Sequence, residues 1–135
     1  METWSDDVTA GMVMTHKFIA VEPEDTIGEA AEKLAKADAG SALVVEFGRL
    51  VGIVTSRDVL RMVAGRAHPS EAHVSEWMTA EPQTATPETP VEDAAAAMIA
   101  GGFHHLPVVE DERPVGVIGL RTVIGALNTA GFPGL

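Results

Sequence analysis

Displaced by 64 residues, the chain matches itself. Residues 14–66 against 78–130 give 14 identities in 53 positions without a gap, where random pairing gives only a few. Met14-Thr15 falls on Met78-Thr79, Pro23-Glu24 on Pro87-Glu88, and Ala30-Ala31 on Ala94-Ala95. Val44-Val45-Glu46 falls on Val108-Val109-Glu110, and Val51-Gly52 on Val115-Gly116. A repeat of this length constrains the fold more than any local pattern. A unit of about 50 residues cannot bury a sheet alone, so two copies are expected to pack together. Positions where the copies differ mark residues the fold does not require.

Each copy reads as strand, helix, strand, strand, helix, an α+β organisation of two β-α-β-β-α repeats. Phe18-Ile19-Ala20-Val21 suits a short strand. Ile27, Ala30, Ala31, Leu34 and Ala37 then recur at amphipathic-helix spacing. Thr26 with Glu29 has the spacing of a capping box, with Asp25 as the alternative cap. Thr89-Pro90-Val91-Glu92 reads as a cap, a proline at the first helical position and an acid at the third. Short Val-rich runs around Phe47-Gly48-Arg49 and around Asp111-Glu112-Arg113 suit hairpins. Closing helices are expected at 58–64, ended by Gly65, and at 122–127. The boundaries follow as repeat 8–66, linker 67–76 and repeat 77–130. The tail 131–135 has no helical or strand pattern.

Composition narrows the function. Net charge is −11, and Lys and Arg form no run, which argues against nucleic-acid and anionic-membrane partners. No apolar run reaches the roughly 18 residues of a membrane span. An acidic N-terminus is unlike a signal peptide, so a cytoplasmic location is expected. Cysteine is absent, which excludes disulfides and thiolate chemistry. Nothing recurs with the spacing of a catalytic pair or a metal cluster, so no catalytic residue and no metal is assigned.

The ordered motifs carry a resemblance. Met14-Thr15, Val21-Glu22-Pro23, the Ala-Ala-x-x-Leu helix and 51–60 (VGIVTSRDVL) resemble the CBS (cystathionine β-synthase) domain. So do Met78-Thr79, His105-Leu106-Pro107-Val108-Val109 and Val115-Gly116-Val117-Ile118 in the second copy. The likeness covers residues 8–130 and is that of a stand-alone CBS pair, or Bateman module. It implies pseudo-twofold packing with two clefts and an adenosine-containing small molecule such as AMP, ADP or ATP as a regulatory ligand. No cofactor is required, and a homodimer is expected. In the family, ribose hydroxyls are held by an Asp of a Ser/Thr-x-x-Asp motif opening the last helix.

Here that motif is Thr55-x-x-Asp58. A carboxylate accepts from two vicinal hydroxyls. A helix N-terminus favours phosphate, and Arg57 offers it a planar fork. Gly40 and Ser41 complete the expected ribose and phosphate side. Met78, Thr79, Gln83 and Phe103 form the expected adenine side from the partner repeat. Thr55-x-x-Asp58 is equally the pattern of a simple helix cap. The second copy has Gly119 and Thr122 there, so the fold does not demand the pair.

The second cleft, with Ile19, Ala39, His104, His105 and Arg121, reads as degenerate. His104-His105 either faces phosphate or splits into one packed and one solvated ring. Adjacent strand residues point to opposite faces, which disfavours zinc. Phe103 either stacks on a base or fills core. Trp77 is expected as core or rim packing, and Trp4 as a contact to a partner chain or part of a disordered segment. The methionines are expected at apolar helix positions in the core. The function implied is a non-catalytic adenosine-nucleotide-binding regulatory module. The alternative is a dimerisation or scaffolding module whose clefts have decayed.

Overall fold

The computed structural model describes residues 8–129; Trp4 and the tail 131–135 lie outside the described residues. In chain order the elements are α1 (Ala10–Val13), β1 (Ile19–Val21), α2 (Ile27–Ala37), β2 (Ser41–Glu46), β3 (Arg49–Thr55), α3 (Ser56–Ala64), α4 (Val74–Trp77), β4 (Thr79–Ala80), α5 (Val91–Gly101), β5 (His105–Glu110), β6 (Arg113–Gly119) and α6 (Leu120–Thr129). The expected α+β repeats are present, and β2, β3, α2 and α3 recur at the 64-residue offset as β5, β6, α5 and α6.

Two compact units result. One runs from Phe18 to Pro82. The other joins the segment ending at Lys17 to the chain from Gln83 onward. In the first, the sheet order is β1-β2-β3-β4, with β1 parallel to β2 and the other pairs antiparallel. In the second, β5 pairs with β6, and two isolated bridges complete the pattern: Ala85 parallel to Val108 and Thr15 antiparallel to Val117. The expected opening strand of the second copy is thus one bridge long. Pro107 stands where β2 has Leu43 and has no N–H to donate to a neighbouring strand. The Ala85 N–H reaches the Pro107 carbonyl at 2.9 Å, and pairing goes no further back.

Local chemistry sets the helix ends. The Thr26 N–H donates to Glu29 Oε1 at 2.9 Å, and the Glu29 N–H donates to Thr26 Oγ1 at 3.1 Å. The Thr26 N–H and the Thr26 hydroxyl, both donating to Glu29 Oε1, hold the Glu29 carboxyl below its ordinary pKa. Asp25 instead accepts from the Glu22 N–H, so Thr26 is the cap. Ala37 is exposed rather than on the buried face, because the helix ends beside it at left-handed Asp38. At α5 the expected start shifts by one residue. Pro90 takes the cap position, and Thr89 Oγ1 accepts from the Thr86 N–H to close the preceding turn. The closing helices begin earlier than expected, at Ser56 and Leu120.

The two cores use equivalent positions. Val44, Val54, Ile27 and Val74 are fully buried in one unit, and Val108, Ile118, Val91 and Ala10 in the other. The methionines divide differently from expectation. Met62 and Met98 are core, whereas Met12 is 68% exposed. Met78 and Met14 precede short strand pairings and lie over glycines. A Cβ on Gly52 would come 2.5 Å from Met78 Sδ and 3.0 Å from the Thr79 carbonyl; on Gly116 it would come 2.6 Å from Met14 Sδ and 2.9 Å from the Thr15 carbonyl. Each glycine lets the neighbouring Met-Thr segment pair closely beside its strand while the Met side chain covers the glycine.

Candidate ligand-binding site

In the Phe18–Pro82 unit, β3 ends at Thr55 and α3 begins one residue later, so the start of α3 faces the beginning of β2. Ser41 pairs with Thr55 across the ladder. The Ser56 N–H donates to the Gly40 carbonyl at 3.1 Å. Gly40, Ser41, Thr55, Arg57 and Asp58 are therefore brought together, with Ser41 and Asp58 buried and Arg57 exposed.

Asp58 is 7% exposed and well held. Its Oδ2 accepts the Thr55 N–H at 2.8 Å and the Thr55 hydroxyl at 3.2 Å. Its Oδ1 accepts from Arg61 Nη1 at 2.9 Å. The acid thus satisfies one of the orphan amides at the helix start, as a cap requires. Arg61 was not singled out from the sequence, although i,i+3 spacing on a helix brings such pairs together. Its guanidinium also lies 5.6 Å from the centroid of the half-buried Trp77 ring, which packs at the rim of this unit's core. Met78 and Thr79 belong to this same unit, Met78 half-buried against Gly52 and Thr79 exposed in β4. Ile19 and Ala39 also belong here and pack against the core.

Gln83, Phe103, His104, His105 and Arg121 belong to the other unit. Gln83 and Arg121 are exposed. Phe103 packs on the core, its ring filling the space beside Gly101. The His104 carbonyl accepts the Leu120 N–H at 2.8 Å, matching Gly40 and Ser56. His104 is exposed and His105 half-buried. Burial, with the neighbouring His104, holds His105 below its ordinary pKa. Gly119 and Thr122 offer no carboxylate at this helix start.

A groove lies at the opposite end of β2, lined by Ala20, Glu22, Glu24, Asp25, Lys33, Glu46 and Phe47. Its acids make it a poor seat for phosphate. Among the described residues no group of three His, Asp or Glu could hold a metal ion, and no helix is long and apolar enough to cross a membrane.

The CBS domain family model matches residues 8–65 and 74–129. The chain is 33% identical over 107 residues to the CBS domain-containing protein YhcV of Bacillus subtilis (strain 168), covering 79% of this chain and 76% of that protein. Some curated relatives are far longer, and the chain spans 18% of one from Arabidopsis thaliana. Among solved structures, the CBS domain protein PAE2072 from Pyrobaculum aerophilum, complexed with AMP, aligns with a TM-score of 0.82 at 26% identity, over 90% of this chain and 99% of that one. The CBS domain pair of protein MJ0100, in complex with 5'-methylthioadenosine and S-adenosyl-L-methionine, aligns with a TM-score of 0.83 at 27% identity, over 90% and 97%.

Proposed function

The chain belongs to the CBS domain family, and on that premise we propose that it is a non-catalytic regulatory module that binds an adenosine-containing ligand at the start of α3. The observation that carries this reading is the buried Asp58 carboxylate beside Thr55, present in one unit and replaced by Thr122 and Gly119 in the other. A carboxylate there accepts from the 2'- and 3'-hydroxyls of a ribose. The exposed Arg57 stands one residue before it to meet a phosphate. AMP, 5'-methylthioadenosine and S-adenosyl-L-methionine, found in the two related structures, all contain such a ribose. The module acts in the cytoplasm, needs no cofactor, and has neither nucleic acid nor membrane as partner.

Leu60 and Val63 on α3 are 69% and 58% exposed, an apolar surface suited to a second copy of the chain. Light scattering is expected to give about twice the 14.2 kDa chain mass. A monomer mass at micromolar concentration contradicts the homodimer.

A thermal-melt screen with AMP, ADP, ATP, NAD and S-adenosyl-L-methionine tests the ligand reading. A ligand at a hundred times its dissociation constant adds about 2.7 kcal/mol of stability. Silence with all five favours the scaffolding alternative.

A further inference from the structure

The Asp58 carboxylate is already engaged by its own chain. An ionised carboxylate offers about four acceptor positions. Thr55 fills two on Oδ2, at 2.8 and 3.2 Å, and Arg61 fills one on Oδ1, at 2.9 Å. Two vicinal hydroxyls need two. The Thr55 N–H is an orphan of the helix start and requires its acceptor. Arg61 has no such need, because its side chain is 59% exposed and water can solvate it. On its other side the guanidinium lies over Trp77, 5.6 Å from the ring centroid. Trp77 ends α4, directly before the Met78 that covers Gly52. At the 64-residue offset, Asp58, Arg61 and Trp77 become Thr122, Gly125 and Val13. The trio is lost together where the acid is lost, although the fold persists.

We propose that Arg61 is a displaceable internal occupant of Asp58. Ribose hydroxyls take its place on Oδ1, the guanidinium is released, and its contact with Trp77 changes. Ligand occupancy is thereby reported to α4 and the Met-Thr segment that follows. The proposal rests on Asp58 being the ribose acceptor. It differs from a direct ligand role for Arg61 in the sign of one substitution, since removing a competitor tightens binding and removing a ligand weakens it.

The test uses the full chain with Trp4→Phe, which leaves Trp77 as the sole tryptophan. AMP and S-adenosyl-L-methionine are titrated by calorimetry and by Trp77 emission. Arg61→Met is expected to bind about two- to fivefold tighter, since an exposed ion pair is a weak competitor. Trp77 emission is expected to change on ligand addition in the parent and not in Arg61→Met. A parent that binds while its Trp77 emission stays constant, or an Arg61→Met chain with unchanged affinity, overturns the displacement alone. Weaker binding by Arg61→Met overturns it too and makes Arg61 a ligand contact. A parent that binds neither compound overturns the ribose reading, and the displacement with it.

Discussion

His104 and His105 are neighbours in sequence and opposites in environment. His104 is exposed, while His105 opens β5 against Gly119 and is half-buried. Burial penalises the imidazolium, so the folded chain binds this proton less readily than the unfolded chain, whose His titrates near 6.5. The His105 contribution to stability is therefore complete above that pH. It is lost as pH falls through 6.5 toward the lower folded pKa. Thermal melts from about pH 7 to about pH 5.5 are expected to show this loss in the parent and a flatter profile in His105→Gln. Parallel profiles would contradict the assignment. At neutral pH His105 is then an uncharged donor, a weaker match to phosphate than an imidazolium would be. The sequence exposed the His pair and Asp58 because the repeat supplied Gly40-Ser41 and Thr122 for comparison. Arg61 rather than Arg57 reaches the carboxylate, as i,i+3 spacing allows and adjacency does not, but that spacing is legible only once the helix is known to begin at Ser56 rather than at Asp58.

At the scale of elements, the two most visible repeated dipeptides explain each other. Val51-Gly52 lies in β3 and Val115-Gly116 in β6, and a Met-Thr pair runs antiparallel beside each. The partners are exchanged: Met78 covers Gly52, and Met14 covers Gly116. A methyl group at either glycine meets backbone carbonyl as well as a flexible thioether, so the Met alone cannot yield. Gly52→Ala and Gly116→Ala are each expected to cost about 1–3 kcal/mol in denaturant unfolding. A cost below about 0.5 kcal/mol at both sites would mean the close approach is not required. Periodicity revealed α2, the start signature at 89–92 with the repeat revealed α5, and short Val-rich runs bounded by turns revealed the hairpins. Periodicity could not reveal α1 or α4, each 4 residues long. The hairpin turns were visible as breaks but not by type. Both place non-glycine residues at positive φ, at Phe47 and at Asp111 with Glu112, as primed turns require.

At the scale of the whole molecule, one fold is built twice and equipped once. Both units have equivalent cores, yet only the Phe18–Pro82 unit carries a carboxylate at the start of its closing helix. That asymmetry makes the central claim quantitative: one adenosine site per chain, held by Asp58. Calorimetric titration of AMP and S-adenosyl-L-methionine into the parent, Asp58→Ala and Thr122→Ala tests it most directly, with melts alongside to record stability. Charge-assisted hydrogen bonds of about 1.5–3 kcal/mol are removed with Asp58. Asp58→Ala is therefore expected to bind roughly 10- to 100-fold more weakly, with about one site per parent chain and Thr122→Ala unchanged. An Asp58→Ala chain that melts lower but binds like the parent would contradict the claim and leave Thr55-x-x-Asp58 as a helix cap alone.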